Sequence, residues 1–106
     1  MEHKILRAVA PGYPLLVLEQ QDEWSQVEDF RKRQGWVANK LLAENNSVIV
    51  KIGRGNMRSG PSLNDELVTQ IIYGTVLHIE DVKGDWLKVV KDEKIVGWVH
   101  KWSVWP

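Results

Sequence analysis

Gly84-Asp85-Trp86-Leu87-Lys88-Val89 and, a short turn later, Gly97-Trp98-Val99 decide how this chain is read, because both return earlier in it. Asp22-Glu23-Trp24-Ser25-Gln26-Val27 answers the first stretch and Gly35-Trp36-Val37 the second, and Trp24 to Trp86 and Trp36 to Trp98 are both 62 residues apart. Carried without a gap, this offset sets Gly12 on Gly74, Leu15 on Leu77, Val17 on Ile79 and Lys32 on Lys94. It also reaches Ile5-Leu6 on Leu67-Val68 and Val9 on Ile71. A constant offset through so many positions marks a duplication. The copies are unequal, because positions 62 before Asn56-Met57-Arg58-Ser59-Gly60-Pro61 fall ahead of residue 1. The first copy is therefore read as incomplete, without its opening strand and loop, and the domains as 1–45 and 46–106.

Each copy reads as extended. Val48-Ile49-Val50-Lys51-Ile52, Leu67-Val68-Thr69-Gln70-Ile71-Ile72, Val76-Leu77-His78-Ile79, Trp86-Leu87-Lys88-Val89-Val90 and Ile95-Val96-Gly97-Trp98-Val99 are short runs rich in β-branched and aromatic residues. Gly53, Gly55, Gly60-Pro61, Gly74, Lys83-Gly84-Asp85 and Lys91-Asp92-Glu93-Lys94 separate them as turns. No segment keeps an apolar stripe at helical spacing over three turns. About five short strands per copy predict an all-β chain of two tandem small barrels, the first incomplete.

Composition narrows the function classes. The 106 residues carry 14 Lys+Arg against 14 Asp+Glu, a balance that disfavours a nucleic-acid or anionic-membrane binder, which needs a basic surplus. Arg31-Lys32-Arg33 is the one basic cluster, and Glu28-Asp29 stand beside it. Cysteine is absent, which excludes a disulfide scaffold, a thiolate zinc site and a cysteine nucleophile. No apolar run approaches a membrane span, and Met1-Glu2-His3-Lys4-Ile5-Leu6-Arg7 has no signal-peptide character. An export signal, if the protein is exported, is expected outside this chain.

The second copy resembles the bacterial SH3 domain. The resemblance rests on Asn56-Met57-Arg58-Ser59-Gly60-Pro61-Ser62, Gly74-Thr75-Val76, Gly84-Asp85-Trp86-Leu87-Lys88-Val89 and Gly97-Trp98-Val99-His100, in that order, and covers roughly Ser47 to Trp105. The first copy, from Gly12 to Leu42, carries the last two motifs, with Gly12-Tyr13-Pro14 in place of Gly-Thr. The resemblance implies SH3-like barrels and a binding module of the bacterial cell envelope, periplasmic or secreted. Its ligand would be peptidoglycan or its peptides, held in an aromatic groove. A protein–protein scaffold with no cell-wall ligand is the competing reading. Candidate ligand contacts are Trp86, Tyr73, Asn56 and Asp85 in the second copy, with Trp24 and Tyr13 at related places in the first. Arg58 is expected to hydrogen-bond loop carbonyls.

No catalytic group, metal site or cofactor is expected. His3, His78 and His100 lack metal-ligand spacing, and His78, between Leu77 and Ile79, should face solvent. Asp65-Glu66, Glu80-Asp81 and Asp92-Glu93 are sequence neighbours that point to opposite faces of a strand. Gly53-Arg54-Gly55-Asn56-Met57-Arg58-Ser59-Gly60 looks like a phosphate loop but lacks the Lys-Ser/Thr and the helix, and is read as a loop of the barrel.

The six tryptophans fall into three groups. Trp36 and Trp98 are expected in or near the core. Trp86 shares a face with Lys88, opposite Leu87 and Val89, so it either borders a ligand groove or caps the barrel. Trp102 and Trp105 are expected to seal the last strand. Leu16 and Leu18, where the second copy has His78 and Glu80, make a strand apolar on both faces, expected to pack on the second barrel. An incomplete first barrel should be completed by strand exchange or a homodimer, or leave a disordered N-terminus.

Overall fold

The computed structural model describes residues 5–9 and 12–106 and divides the chain into two compact units, Met1–Asn46 and Ser47–Pro106. Both are built from strands. The first unit holds β1 (Ile5–Val9), β2 (Tyr13–Gln20), β3 (Trp24–Glu28), β4 (Gln34–Ala38) and β5 (Ala43–Glu44), with a 3-10 turn at Asn39–Leu41. The second holds β6 (Ser47–Val50), β7 (Arg54–Arg58), β8 (Leu67–Ile72), β9 (Val76–Lys83), β10 (Trp86–Lys91), β11 (Ile95–His100) and β12 (Val104–Trp105), with a 3-10 turn at Lys101–Ser103. The duplication is visible here, since the two 3-10 turns are themselves 62 residues apart.

The sheets run β4-β3-β2-β1-β5 and β12-β6-β9-β10-β11-β7-β8. Their registers agree from β2 onward but part at β1. Ala8 stands opposite Pro14 and Ala43, as Ile49 stands opposite Val76 and Trp105. Pro14 to Val76 and Ala43 to Trp105 keep the 62-residue offset, whereas Ala8 and Ile49 are 41 apart. In space β1 therefore takes the place of β6, although its sequence lines up with β8. What the described part of the first unit lacks is a counterpart of the β7–β8 hairpin.

That shortfall sets the two cores apart. Val48, Val50, Met57, Ile71, Leu77, Val89, Val99 and Val104 form a buried cluster in the second unit. The first unit buries Leu15, Val17 and Val27, with Val9, Tyr13, Val37 and Leu42 packed around them. Two stretches differ from their reading as sequence. Gly53 to Gly60, read as loop, contains β7, whose alternation turns Gly55 and Met57 inward while Arg54 and Asn56 stay exposed. His78, expected in solvent, is half-buried between Ser47 and Val90 on the neighbouring strands.

Gly97 shows what β7 does to its neighbour. A Cβ there would lie 2.4 Å from Met57 Cγ and 3.0 Å from the Arg58 carbonyl oxygen, so the strands approach closely only because Gly97 has no side chain. Gly35, its counterpart, has nothing within 4 Å of the same point. Trp98, paired with Arg58 across β11 and β7, is 9% exposed, whereas Trp36 is 46% exposed, contrary to its expected near-core place.

Candidate functional site

In the second unit the strand order brings some of the candidate residues to one end. Trp86 opens β10 opposite His100 at the close of β11. β7 runs antiparallel to β11, with Trp98 opposite Arg58, so the start of β7 lies at that same end. Asn56, exposed and opposite Gln70, lies towards that end. Tyr73, exposed just beyond β8, leads instead into the start of β9, the far end of that strand from Lys83, which stands opposite Trp86. Tyr73 is therefore not brought to Trp86. The Tyr73 amide donates to the Gly53 carbonyl at 3.2 Å, tying the end of β8 to the chain entering β7.

Trp86 is half-buried on the face opposite Val89, and His100 meets its ring edge to face at 5.2 Å between centroids. His100 is itself fixed, since its Nδ1 accepts from the Trp102 amide at 3.2 Å and so caps the 3-10 turn. Asp85, in the β9–β10 turn, is committed to a partner: its carboxylate lies 2.9 Å from the Lys101 ammonium. That hydrogen bond, with the Lys101 charge, holds the Asp85 carboxyl below its ordinary value. Arg58 donates to the Asp65 carbonyl at 3.1 Å, as expected of it. Trp102 does not seal the last strand: it is 69% exposed, with the Lys101 ammonium 5.6 Å from its ring centre. Trp105 is half-buried in β12 opposite Ile49.

In the first unit Trp24 and Tyr13 are not brought together. Trp24 opens β3, beside the close of β2, while Tyr13 lies at the far end of β2. Eight residues of strand separate those ends, about 25 Å. Tyr13 packs on the Leu15, Val17 and Val27 cluster and meets Phe30 edge to face at 6.3 Å. Trp24 is 50% exposed and borders an open cleft of about 610 Å3 along Gln21, Asp22 and Glu23. An adjoining cleft of about 390 Å3 extends from this turn to Ala38, Asn39 and Lys40.

Residues that sequence reasoning missed hold these turns. Asn39 donates through its amide to the Glu23 carbonyl at 2.9 Å and through its side chain to the Gln21 carbonyl at 2.9 Å, and its Oδ1 accepts from Ser25. Lys101 donates to the Asp85 carbonyl at 2.9 Å in the second unit, the same bond at the same offset. The signal lay in the duplication: Asn39 and Lys101 follow the two Gly-Trp-Val motifs at equal distance. Among the described residues no group of three or more acidic or histidine side chains could hold a metal, and no helix is long and apolar enough to cross a membrane.

Residues 53–104 match a bacterial SH3 domain family and residues 1–44 match a second one of the same description. The chain belongs to the bacterial SH3 domains, as a tandem. No curated protein matches it in sequence. Two solved structures share its fold, NlpC1 and NlpC2 from Trichomonas vaginalis, 13% and 11% identical, each with a TM-score of 0.52 over 100% of this chain. The chain spans 47% and 45% of their lengths.

Proposed function

We propose that this chain is a non-catalytic binding module of the bacterial cell envelope, recognising peptidoglycan through its peptides. The observation that carries the reading is the approach of Trp86 on β10 and Asn56 on β7 to the same end of the intervening strand β11. An extended peptide would lie there, stacking on the Trp86 ring and exchanging hydrogen bonds with Asn56. Asp85 would take part through its ion pair with Lys101 rather than as a free carboxylate. Bacterial SH3 domains are typically non-catalytic, often bind cell wall, and act outside the cytoplasm, which supports the assignment. A shallow groove of this kind gives dissociation constants on the order of micromolar or weaker. Completion of the first unit by a second copy belongs to the same reading, and the outer edge of β4 beside Gly35 is where a strand would add.

Co-sedimentation with purified peptidoglycan, wild type against Trp86→Ala, tests the groove. Sedimentation that the substitution abolishes supports it. Failure of the wild type to sediment sinks the cell-wall reading and leaves the protein–protein scaffold.

A further inference from the structure

At the counterpart of the Trp24 cleft in the second unit, the carboxylate already has its cation and the indole already has a ring against it. There, His100 stands against Trp86 and the Lys101 ammonium sits 2.9 Å from the Asp85 carboxylate. At the 62-residue offset the first unit has Ala38 for His100, Asn39 for Lys101, Glu23 for Asp85 and Asp22 for Gly84. The indole and a carboxylate are kept, a second carboxylate is added, and the imidazole and ammonium that would occupy them are gone. Trp24 is accordingly 50% exposed, and no ion pair involves Asp22 or Glu23 among the described residues. The turn is nonetheless held in shape, because Asn39 bonds the carbonyls of Gln21 and Glu23 and the Gln21 amide donates to the Trp24 carbonyl at 2.8 Å.

We infer that this cleft takes the side-chain ammonium of a lysine-type residue in a peptide, in the position that Lys101 fills in the second unit. The aliphatic stem lies along the Trp24 ring, where cation and methylenes are both favoured. The ammonium sits between Asp22 and Glu23. Lys40, which lines the adjoining cleft, opposes any cationic guest and keeps the affinity low. This goes beyond the proposed cell-wall groove, since it stands on the first unit and uses neither Trp86 nor Asn56.

The test is an NMR titration of the 15N-labelled full chain with Nα-acetyl-lysine methylamide, followed at the Trp24 indole and the Asn39 amide. Saturable shifts at both are expected, with a dissociation constant on the order of millimolar. The Nε-acetylated probe, which has the same stem without the charge, should bind about two- to fivefold more weakly, as should the E23Q variant with the charged probe. Lys40→Ala should tighten binding. Equal response to the two probes, shifts centred on the Trp86 indole, or no saturation would each overturn the inference. Binding of the charged probe by a chain that does not sediment with peptidoglycan upholds it and sinks the groove; sedimentation without probe binding does the reverse.

Discussion

Lys101 holds Asp85 twice: its amide donates to the Asp85 carbonyl and its ammonium reaches the Asp85 carboxylate, each at 2.9 Å. The double hold closes the β9–β10 turn onto the 3-10 turn after β11 and carries Trp86 with it. The hydrogen bond from Lys101, then its charge, depress the Asp85 pKa below its ordinary value of 3.8. A depressed carboxylate contributes stability that is fully present above that ordinary value and is lost as pH falls through the folded one. Lys101→Met should therefore move the Asp85 midpoint up towards 3.8 in a carboxyl-carbon NMR titration. A midpoint that stays put would show that the ion pair is not formed in solution. Because both groups are exposed, added salt should shrink the difference between variant and wild type.

Asp29 does comparable work at the β3–β4 turn. Its Oδ1 accepts from the amides of Arg31 and Arg33, both at 2.9 Å, and its Oδ2 from Arg33 Nε at 2.7 Å. Burial pushes this carboxyl up, but the hydrogen bonds from Arg33 and Arg31 outweigh it and hold the pKa below the ordinary value. Asp29→Ala leaves two turn amides without their acceptor and should cost about 1–3 kcal/mol in denaturant unfolding. Asp29→Asn, which keeps an acceptor oxygen, should cost less. Equal losses in the two variants would mean that the charge, and not the accepting oxygen, is what the turn needs.

The sequence reading and the structure agree where side-chain alternation and turn residues speak together. Leu67–Ile72 is the strand expected, and the Gly-Trp-Val runs fall in equivalent strands. They disagree where placement depends on long-range pairing. β7 was hidden because Gly53, Gly55 and Gly60 punctuate it like a loop, while the pairing with β8 and β11 that makes it a strand lies far off in the chain. β1 matches β8 in sequence yet sits in the place of β6, paired with β2 and β5. The site was legible in part. Trp86 and Trp24 stood out by repetition, but the difference between a carboxylate with its cation and one without lies in Ala38 and Asn39, whose meaning appears only against His100 and Lys101.

The two glycines of the Gly-Trp-Val motifs should respond oppositely to the same change. Gly97→Ala drives a methyl into Met57 and the Arg58 carbonyl, one of which is backbone that cannot swing aside, and should cost about 1–3 kcal/mol. Gly35→Ala meets open space in the single chain and, at concentrations where no second copy adds to β4, should be neutral or stabilising by about 0.5 kcal/mol through the unfolded chain. Paired denaturation curves decide it. A loss at Gly35 matching that at Gly97 would reveal a strand lying on β4 in solution, as completion by a second copy requires, and sedimentation at rising concentration would then identify it.

The β10–β11 turn offers a stabilising change. Lys94 donates to the Lys91 carbonyl at 3.1 Å, and both residues between them, Asp92 and Glu93, have positive φ, 54° and 61°. Positive φ at both central positions is that of a type I′ turn, here within a three-residue loop because Lys91 pairs with Ile95, and its second central position favours glycine. A side chain in that region costs about 1 kcal/mol or slightly more, because Cβ crowds the following carbonyl. Glu93→Gly removes the crowding but adds freedom to the unfolded chain, which offsets part of the gain. The net effect should be a stabilisation of about 0.5 kcal/mol, seen as a higher denaturant midpoint with an unchanged slope. Lys94→Gly, at a position without positive φ, loses only backbone entropy and should lower the midpoint. A Glu93→Gly midpoint at or below wild type would mean that the turn in solution is not the I′ hairpin, and that the β10–β11 register is set by the strands rather than by Asp92 and Glu93.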